Sequence, residues 1–505
     1  MNTFILNIFL DCSDSIGCNE NMNILMVSSE TVPFSKSGGL ADVIGALSEA
    51  ISGCGHEVRV FMPMYSFIDE EDFSDELEFQ VPMLGSTETV STVETVVGSV
   101  RYIGLIHPYF TERKGIYGDT SFSPYDDNAR RFMLFSQSVL PYLEASGWNA
   151  DVIHCHDWTT GTIPYIVGRS GRKIPTLFTI HNLAYQGEFS KYDAILGGYE
   201  PSSRMFCGDV MQERFNMMKT GLQYADRITT VSQRYAEEIC TREQGYGLEY
   251  LLSARKKDLS GIINGIDYDE WDSSKDEFFS THFSPEDLSG KAELKAAIQK
   301  EFGLEVKPDV PLFAMISRLA EQKGFSELLS GSPCALENIL TQNEVQFIII
   351  GTGDERFTAK LKKIEQLNPN LSVRIVFSSR IAHIVEGGAD FFLMPSRYEP
   401  CGLNQLYSLH YGTLPCARRT GGLADSIIDM EEDEENGTGF LFDEMSGKAI
   451  EECVSRAVEF YFKSKAELED ARKRGMKTDL TWSKSALSYI EIYNCLIQGG
   501  KNECY

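Results

Sequence analysis

Glu399 is a single carboxylate in the turn Pro395-Ser396-Arg397-Tyr398-Glu399-Pro400-Cys401-Gly402-Leu403, with proline and glycine on either side of it. An apolar, strand-like run precedes the turn at 390–394, and a helix-like run follows at 403–411. In open α/β sheets, ligands bind at the carboxyl ends of strands. A helix opening near Gly402 adds free N–H groups and the positive end of its dipole. One carboxylate beside such a helix start suits a ligand with hydroxyls at one end and phosphate at the other, which is the chemistry of a nucleotide-sugar.

Three further constellations fit that chemistry. In Lys36-Ser37-Gly38-Gly39-Leu40 a lysine and two glycines stand before a helical pattern, so a ligand can approach the backbone there. The spacing matches neither a Walker loop nor G-x-G-x-x-G, and an ordinary glycine turn with an exposed lysine is the competing reading. In the run 317–324, Arg318 ends a strand and Lys323 follows in the loop. Two cations at a strand end can grip a diphosphate, which gains charge as the sugar bond breaks. The histidines of Val152-Ile153-His154-Cys155-His156-Asp157-Trp158 alternate with Cys155 across a strand, and no further ligands are spaced to complete a metal site. Asp157 and His181, each at a strand tip, are candidates for contact with a polyhydroxylated substrate. A glycine turn at 351–353 is a weaker signal, compatible with close packing alone.

The elements that must position these groups alternate along the chain. Strands are expected at 23–28, 57–62, 151–155, 176–180 and 227–231, and in a second series at 312–317, 346–350, 373–377, 389–394 and 413–417. The apolar stripe Leu40, Val43, Ile44, Leu47, Ile51 marks a helix after the first strand. These βαβ units imply parallel sheets. The echo Ser37-Gly38-Gly39-Leu40-Ala41-Asp42 and Thr420-Gly421-Gly422-Leu423-Ala424-Asp425 points to two similar halves. The expected organisation is an extension without assigned role at 1–21, a Rossmann-like domain at 22–264, a second at 265–481 and a final helix at 482–505.

The 505 residues carry a net charge of −28, which argues against nucleic acid or anionic membrane as the main partner. The acidic runs at 69–78 and 429–435 read as solvated loops. Twelve cysteines without a C-x-x-C pair fit a reducing cytoplasm better than a disulfide framework or a zinc site. The apolar stretch at 4–10 is too short to span a bilayer and lacks the basic start of a signal peptide.

The ordered blocks Lys36 to Val43, His156-Asp157-Trp158, Thr179 to Gly187, Asn264-Gly265-Ile266-Asp267, Ser317-Arg318-Leu319 with Gln322-Lys323-Gly324, Pro395 to Leu406 and Arg418 to Asp425 resemble bacterial glycogen synthases and plant starch synthases over nearly the whole chain. The resemblance implies a GT-B fold: two Rossmann-like domains facing a central cleft, with the C-terminal helix crossing back to the first. It implies transfer of glucose from ADP-glucose to the 4-hydroxyl at the non-reducing end of an α-1,4-glucan, with retention of configuration. Nucleotide-sugar and α-glucan are then the partners, and no metal or other cofactor is needed.

Carried over by position, Glu399 would hold sugar hydroxyls and support oxocarbenium charge, while Arg318 and Lys323 would take the diphosphate. Lys36 with Gly38 and Gly39, and the N–H groups of Gly402, Leu403 and Asn404, would add donor contacts. Asp157, His181, Asn264 and Tyr117 would line the sugar and acceptor side. The chain departs from the family pattern at Thr159 (commonly histidine), Asn404 (usually threonine) and Phe377 (often a tyrosine that stacks on the base). A UDP-glucose donor, a small acceptor, a nucleotide-sugar epimerase and a silent glucan-binding protein are the alternatives.

Overall fold

The computed structural model describes residues 21–83, 85–119, 123–196, 206–207 and 214–499, so nearly all of the expected extension at 1–21 and the end of the 482–505 segment lie outside the described residues. The chain divides into two units. One comprises Met1–Val231, Ala236–Ile262 and Trp482–Tyr505, and the other Ser232–Tyr235 and Ile263–Thr481.

The first unit is built on strands β1 (Asn23–Val27), β2 (Glu57–Pro63), β3 (Ser74–Met83), β4 (Ser86–Val97), β5 (Val100–Ile106), β6 (Val152–His156), β7 (Thr176–Ile180), β8 (Glu188–Ser190), β9 (Phe206–Cys207), β10 (Arg214–Asn216), β11 (Arg227–Thr230) and β12 (Leu259–Gly261). Its main sheet runs β12-β11-β7-β6-β1-β2-β5-β4-β3, and β8, β10 and β9 form a small separate sheet. Ile24 to Val27 are fully buried, as expected of a parallel strand covered on both faces. Val43, Ile44, Leu47 and Ile51 of the helix Gly39–Gly53 join that core, and so do Trp482, Ala486, Tyr489 and Tyr493 of the helix Trp482–Ile497. The chain leaves β1 for β2 on one side and later fills the other side with β6. The loops after β1 and β6 therefore diverge at a topological switch point, where a ligand crevice opens.

The second unit contributes β13 (Leu312–Ile316), β14 (Gln346–Ile350), β15 (Leu371–Arg374), β16 (Phe391–Met394), β17 (Leu414–Arg418) and β18 (Phe440–Phe442). Their order is β15-β14-β13-β16-β17-β18, all parallel. This is the 3-2-1-4-5-6 order of a Rossmann sheet, with its switch point between β13 and β16. The loops after those two strands carry Arg318, Lys323 and Glu399.

Three local expectations need correction. The strand expected at 373–377 lies at Leu371–Arg374, because Leu371, Ser372 and Val373 are the buried residues whereas Ile375 and Phe377 face solvent. Asp75, Glu76 and Glu78 belong to the edge strand β3 and not to a loop. Charges on an edge strand oppose pairing with another chain. Asp429 is buried and accepts the N–H groups of Leu441 and Glu431, so only the rest of its acidic run is solvated.

Candidate active site

In the second unit the Lys323 loop and the Glu399 turn are stitched together. Arg397 N–H donates to Gln322 O at 2.8 Å, and the Gln322 amide donates to Tyr398 O at 3.3 Å. Gly324 has φ +81°, and a Cβ there would stand 2.0 Å from Pro395 O, so only glycine lets the loops press together. This places Lys323 Nζ 2.5 Å from Glu399 Oε2, and Ser396 Oγ donates to the same oxygen at 2.9 Å. Both side chains of the pair are largely buried, with Glu399 8% and Lys323 19% exposed. The Glu399 backbone is fixed as well, since its carbonyl accepts the Gly422 N–H at 3.1 Å.

Around this pair the other expected residues take distinct places. Arg318 is exposed, its guanidinium 3.3 Å from Gln322 Oε1. The helix Asn404–His410 opens after Leu403, and Gly402 turns the chain into it at φ +73°. The buried Gln405 amide donates to Cys401 O and Gly402 O, each at 3.0 Å, clamping that turn from behind. Asn404 Nδ2 is committed to Ile316 O at 3.0 Å, so its side chain ties the turn to β13. Asn264 is buried, and its Oδ1 has no hydrogen-bond partner among the described residues. Phe377 is 87% exposed in the loop before the helix Ser379–Gly388, a free aromatic face. Burial pushes the Cys401 thiol up to about 12, so it is no thiolate nucleophile.

In the first unit the organising group is Glu30, a buried carboxylate that no motif reading singled out. It accepts the N–H of Ser37, the Ser37 hydroxyl at 2.9 Å, the N–H of Gly38 at 3.0 Å and the Tyr117 hydroxyl at 2.5 Å. The glycine loop is thus moulded around an internal anion, and the Gly38 N–H is already engaged. Lys36 is held near the surface by Asp42 at 2.6 Å. Desolvation, reinforced by the Glu30 charge, keeps the half-buried Tyr117 phenol well above its usual range. Thr159 is buried and donates to Ser29 Oγ at 3.1 Å, so its side chain is taken up inside the unit.

At the end of β6, Asp157 adopts φ +56°, a left-handed conformation that a non-glycine residue holds only when its surroundings enforce it. Its Oδ1 accepts the N–H groups of His181 at 2.8 Å and Asn182 at 3.4 Å, joining the tips of β6 and β7. Burial raises the Asp157 carboxyl to about 7, against those two N–H bonds and with help from the Glu30 charge. Burial lowers His181 to about 3, so its imidazole is neutral. Among the described residues no group of three or more His, Cys, Asp or Glu is placed to hold a metal ion.

Residues 23–254 match the family model of the starch synthase catalytic domain, and residues 298–475 match that of glycosyl transferases group 1. The glycogen synthase of Geotalea daltonii is 41% identical, covering 94% of this chain and 99% of its own length. The chain belongs to the glycogen synthase family. Glycogen synthase of Treponema denticola is 37% identical over 94% of this chain and 98% of its own. Among solved structures, the catalytic domain of Starch Synthase IV from Arabidopsis thaliana, bound to ADP and acarbose, matches with a TM-score of 0.84 at 29% identity, covering 95% of this chain and all of that one. The fold is therefore GT-B, and membership of the glycogen synthase family makes the chain a glycosyltransferase. No helix among the described residues is long and apolar enough to cross a membrane.

Proposed function

We propose that this chain is a metal-independent glycogen or starch synthase of the cytoplasm. It transfers glucose from ADP-glucose to the 4-hydroxyl at the non-reducing end of an α-1,4-glucan, with retention of configuration. The observation that carries this reading is the buried Lys323–Glu399 pair at the switch point of a Rossmann sheet. One carboxylate and one ammonium side by side suit a ligand with sugar hydroxyls at one end and a diphosphate at the other, which supports the reading.

In this reading Glu399 accepts hydrogen bonds from glucose hydroxyls and opposes the positive charge that develops at the anomeric carbon. Lys323 and Arg318 neutralise the departing ADP, taking the electrostatic role that a divalent cation fills elsewhere. The N–H groups of Gly402, Leu403 and Asn404 add to that hold, and Phe377 stacks on the base. Lys36, with the loop through Gly38 and Gly39, serves the donor, while Asp157, His181, Asn264 and Tyr117 serve the glucose and the acceptor. Front-face displacement guided by the leaving group is the retaining step compatible with this reading, with Glu399 supporting the charge at the anomeric carbon.

The test is transfer of labelled glucose from ADP-glucose and from UDP-glucose to glycogen, with and without EDTA. Transfer that prefers ADP-glucose and ignores EDTA is expected. A preference for UDP-glucose would overturn the donor reading at Phe377, and loss of transfer in EDTA would overturn the metal-independent one. The absence of transfer from either donor would overturn the glucan acceptor.

A further inference from the structure

His156 is fully buried at the end of β6, with its Nδ1 3.0 Å from Nε2 of His181. Its other ring nitrogen, Nε2, is buried without a hydrogen-bond partner among the described residues. His154, whose ring centroid lies 3.9 Å away, supplies none: its Nδ1 is engaged with the Tyr493 hydroxyl at 2.7 Å and its Nε2 with the Thr179 hydroxyl at 2.6 Å. Burial, the largest effect at both rings, holds His156 and His181 far below the ordinary histidine range, so both are neutral.

Two neutral imidazoles share one proton along their N···N line, which leaves two arrangements. If His181 donates, the proton of His156 sits on Nε2, a buried N–H with no acceptor. If His156 donates from Nδ1, its orphaned Nε2 is only a bare lone pair. Buried N–H groups without acceptors are the rarer defect in folded proteins, and unsatisfied acceptors are better tolerated. The second arrangement is therefore favoured. His181 then accepts at Nε2 and carries its own proton on Nδ1.

We propose that His156 is a positioning residue that fixes His181 as the Nδ1–H tautomer, so that His181 meets the sugar as a neutral hydrogen-bond donor to an oxygen and not as a base. The proposal rests on the reading of His181 as a sugar contact. It names what that contact recognises: an acceptor oxygen of the glucosyl unit. A neutral donor also stays in one state across the neutral pH range.

The decisive measurement is long-range 1H–15N correlation on the full chain labelled with 15N-histidine. The eight histidines make a small set, and the His181 signals are assigned from their loss in His181→Gln. Protonated Nδ1 and bare Nε2 on His181 are expected, and the reverse pattern would overturn the proposal whatever the activity.

Kinetics provides a second arm. Asparagine at 156 puts an amide N–H where Nδ1 stood, whereas glutamine puts it where Nε2 stood. His156→Ala is expected to lower kcat by about 10- to 100-fold, as lost orienting partners do, with ADP binding little changed. His156→Asn should restore much of that loss and His156→Gln should not. Equal rescue by both, or no loss in the alanine variant, would overturn the positioning role. If His181→Ala itself leaves kcat intact, the sugar-contact reading fails while the tautomer remains readable in the spectra.

Discussion

Lys323 Nζ lies 2.5 Å from Glu399 Oε2, so the cation and the carboxylate proposed for the two ends of the scissile bond are paired with each other. The pair neutralises a charge that burial would otherwise penalise, and it holds the carboxylate in one orientation. On the proposed roles, a donor diphosphate would gain a cation held in place and the sugar a fixed acceptor, so little reorganisation would remain for the reaction itself.

Glu399→Ala is therefore expected to separate turnover from binding. Loss of a preorganised group aimed at transition-state charge costs about 10²–10³ in kcat. Binding of ADP, which lacks the sugar, should hold or tighten because Lys323 is released from its partner. Turnover from labelled ADP-glucose and calorimetric binding of ADP measure the two halves. Equal losses in both would sink the assignment.

Arg318→Ala is expected to damage both quantities, because a diphosphate contact exists before and during bond breaking. A hydrogen bond to a charged group contributes about 1.5–3 kcal/mol, which is roughly 10- to 150-fold in kcat/KM. Among the described residues the exposed side chain makes a single long hydrogen bond, at 3.3 Å to Gln322. The thermal midpoint should therefore stay at the wild-type value while ADP affinity falls. A drop in the midpoint as large as that of a core variant would mean that the arginine is structural.

Much of what each unit offers was legible because its candidate groups stand at the ends of strands. The turn around Glu399, the cations at 318 and 323, and the tips at Asp157 and His181 all announce themselves by the change from apolar run to polar turn. Glu30 does not: a lone glutamate after a strand has no motif, and its importance comes from Ser37, Gly38 and Tyr117 converging on it in three dimensions. His156 looks like any polar residue in a buried strand until its partner His181, just past the end of β7, is seen. The antiparallel extension β3–β5 was hidden because its charged edge imitates a solvated loop. Phe377 reads as the end of a strand because aromatic residues favour strands, yet the backbone leaves the sheet after Arg374.

Glu30→Gln tests the moulding of the glycine loop. Four donors converge on the carboxylate, and an amide can present only one acceptor oxygen to them while its NH2 faces a donor. Leaving such a group unmatched costs about 1–3 kcal/mol. Amide exchange at Ser37 and Gly38 should accelerate by roughly 5- to 150-fold on that scale, with KM for the donor rising alongside. Unchanged protection at both amides would show that the loop holds its shape without the carboxylate.

The last prediction concerns stability against pH and lies away from the reaction. His383 is buried with its ring stacked 3.8 Å from Trp271, and its Nδ1 is 2.7 Å from Asp276 Oδ2. Burial works against its charge, but the Asp276 bond, helped by Glu270, prevails and raises it to about 9. The folded value thus lies above the unfolded one of about 6.5. The stabilisation is complete below about 6.5, shrinks as pH rises, and is gone above about 9. Its full size is on the order of 3 kcal/mol. Urea unfolding followed at Trp271 at pH 6, 8 and 10 should show the wild type losing resistance across that window, while His383→Asn starts weaker and changes less. Parallel slopes for the two proteins would mean that His383 is neutral in the folded chain and that Asp276 is satisfied by Tyr411, whose hydroxyl lies 2.5 Å from the same oxygen.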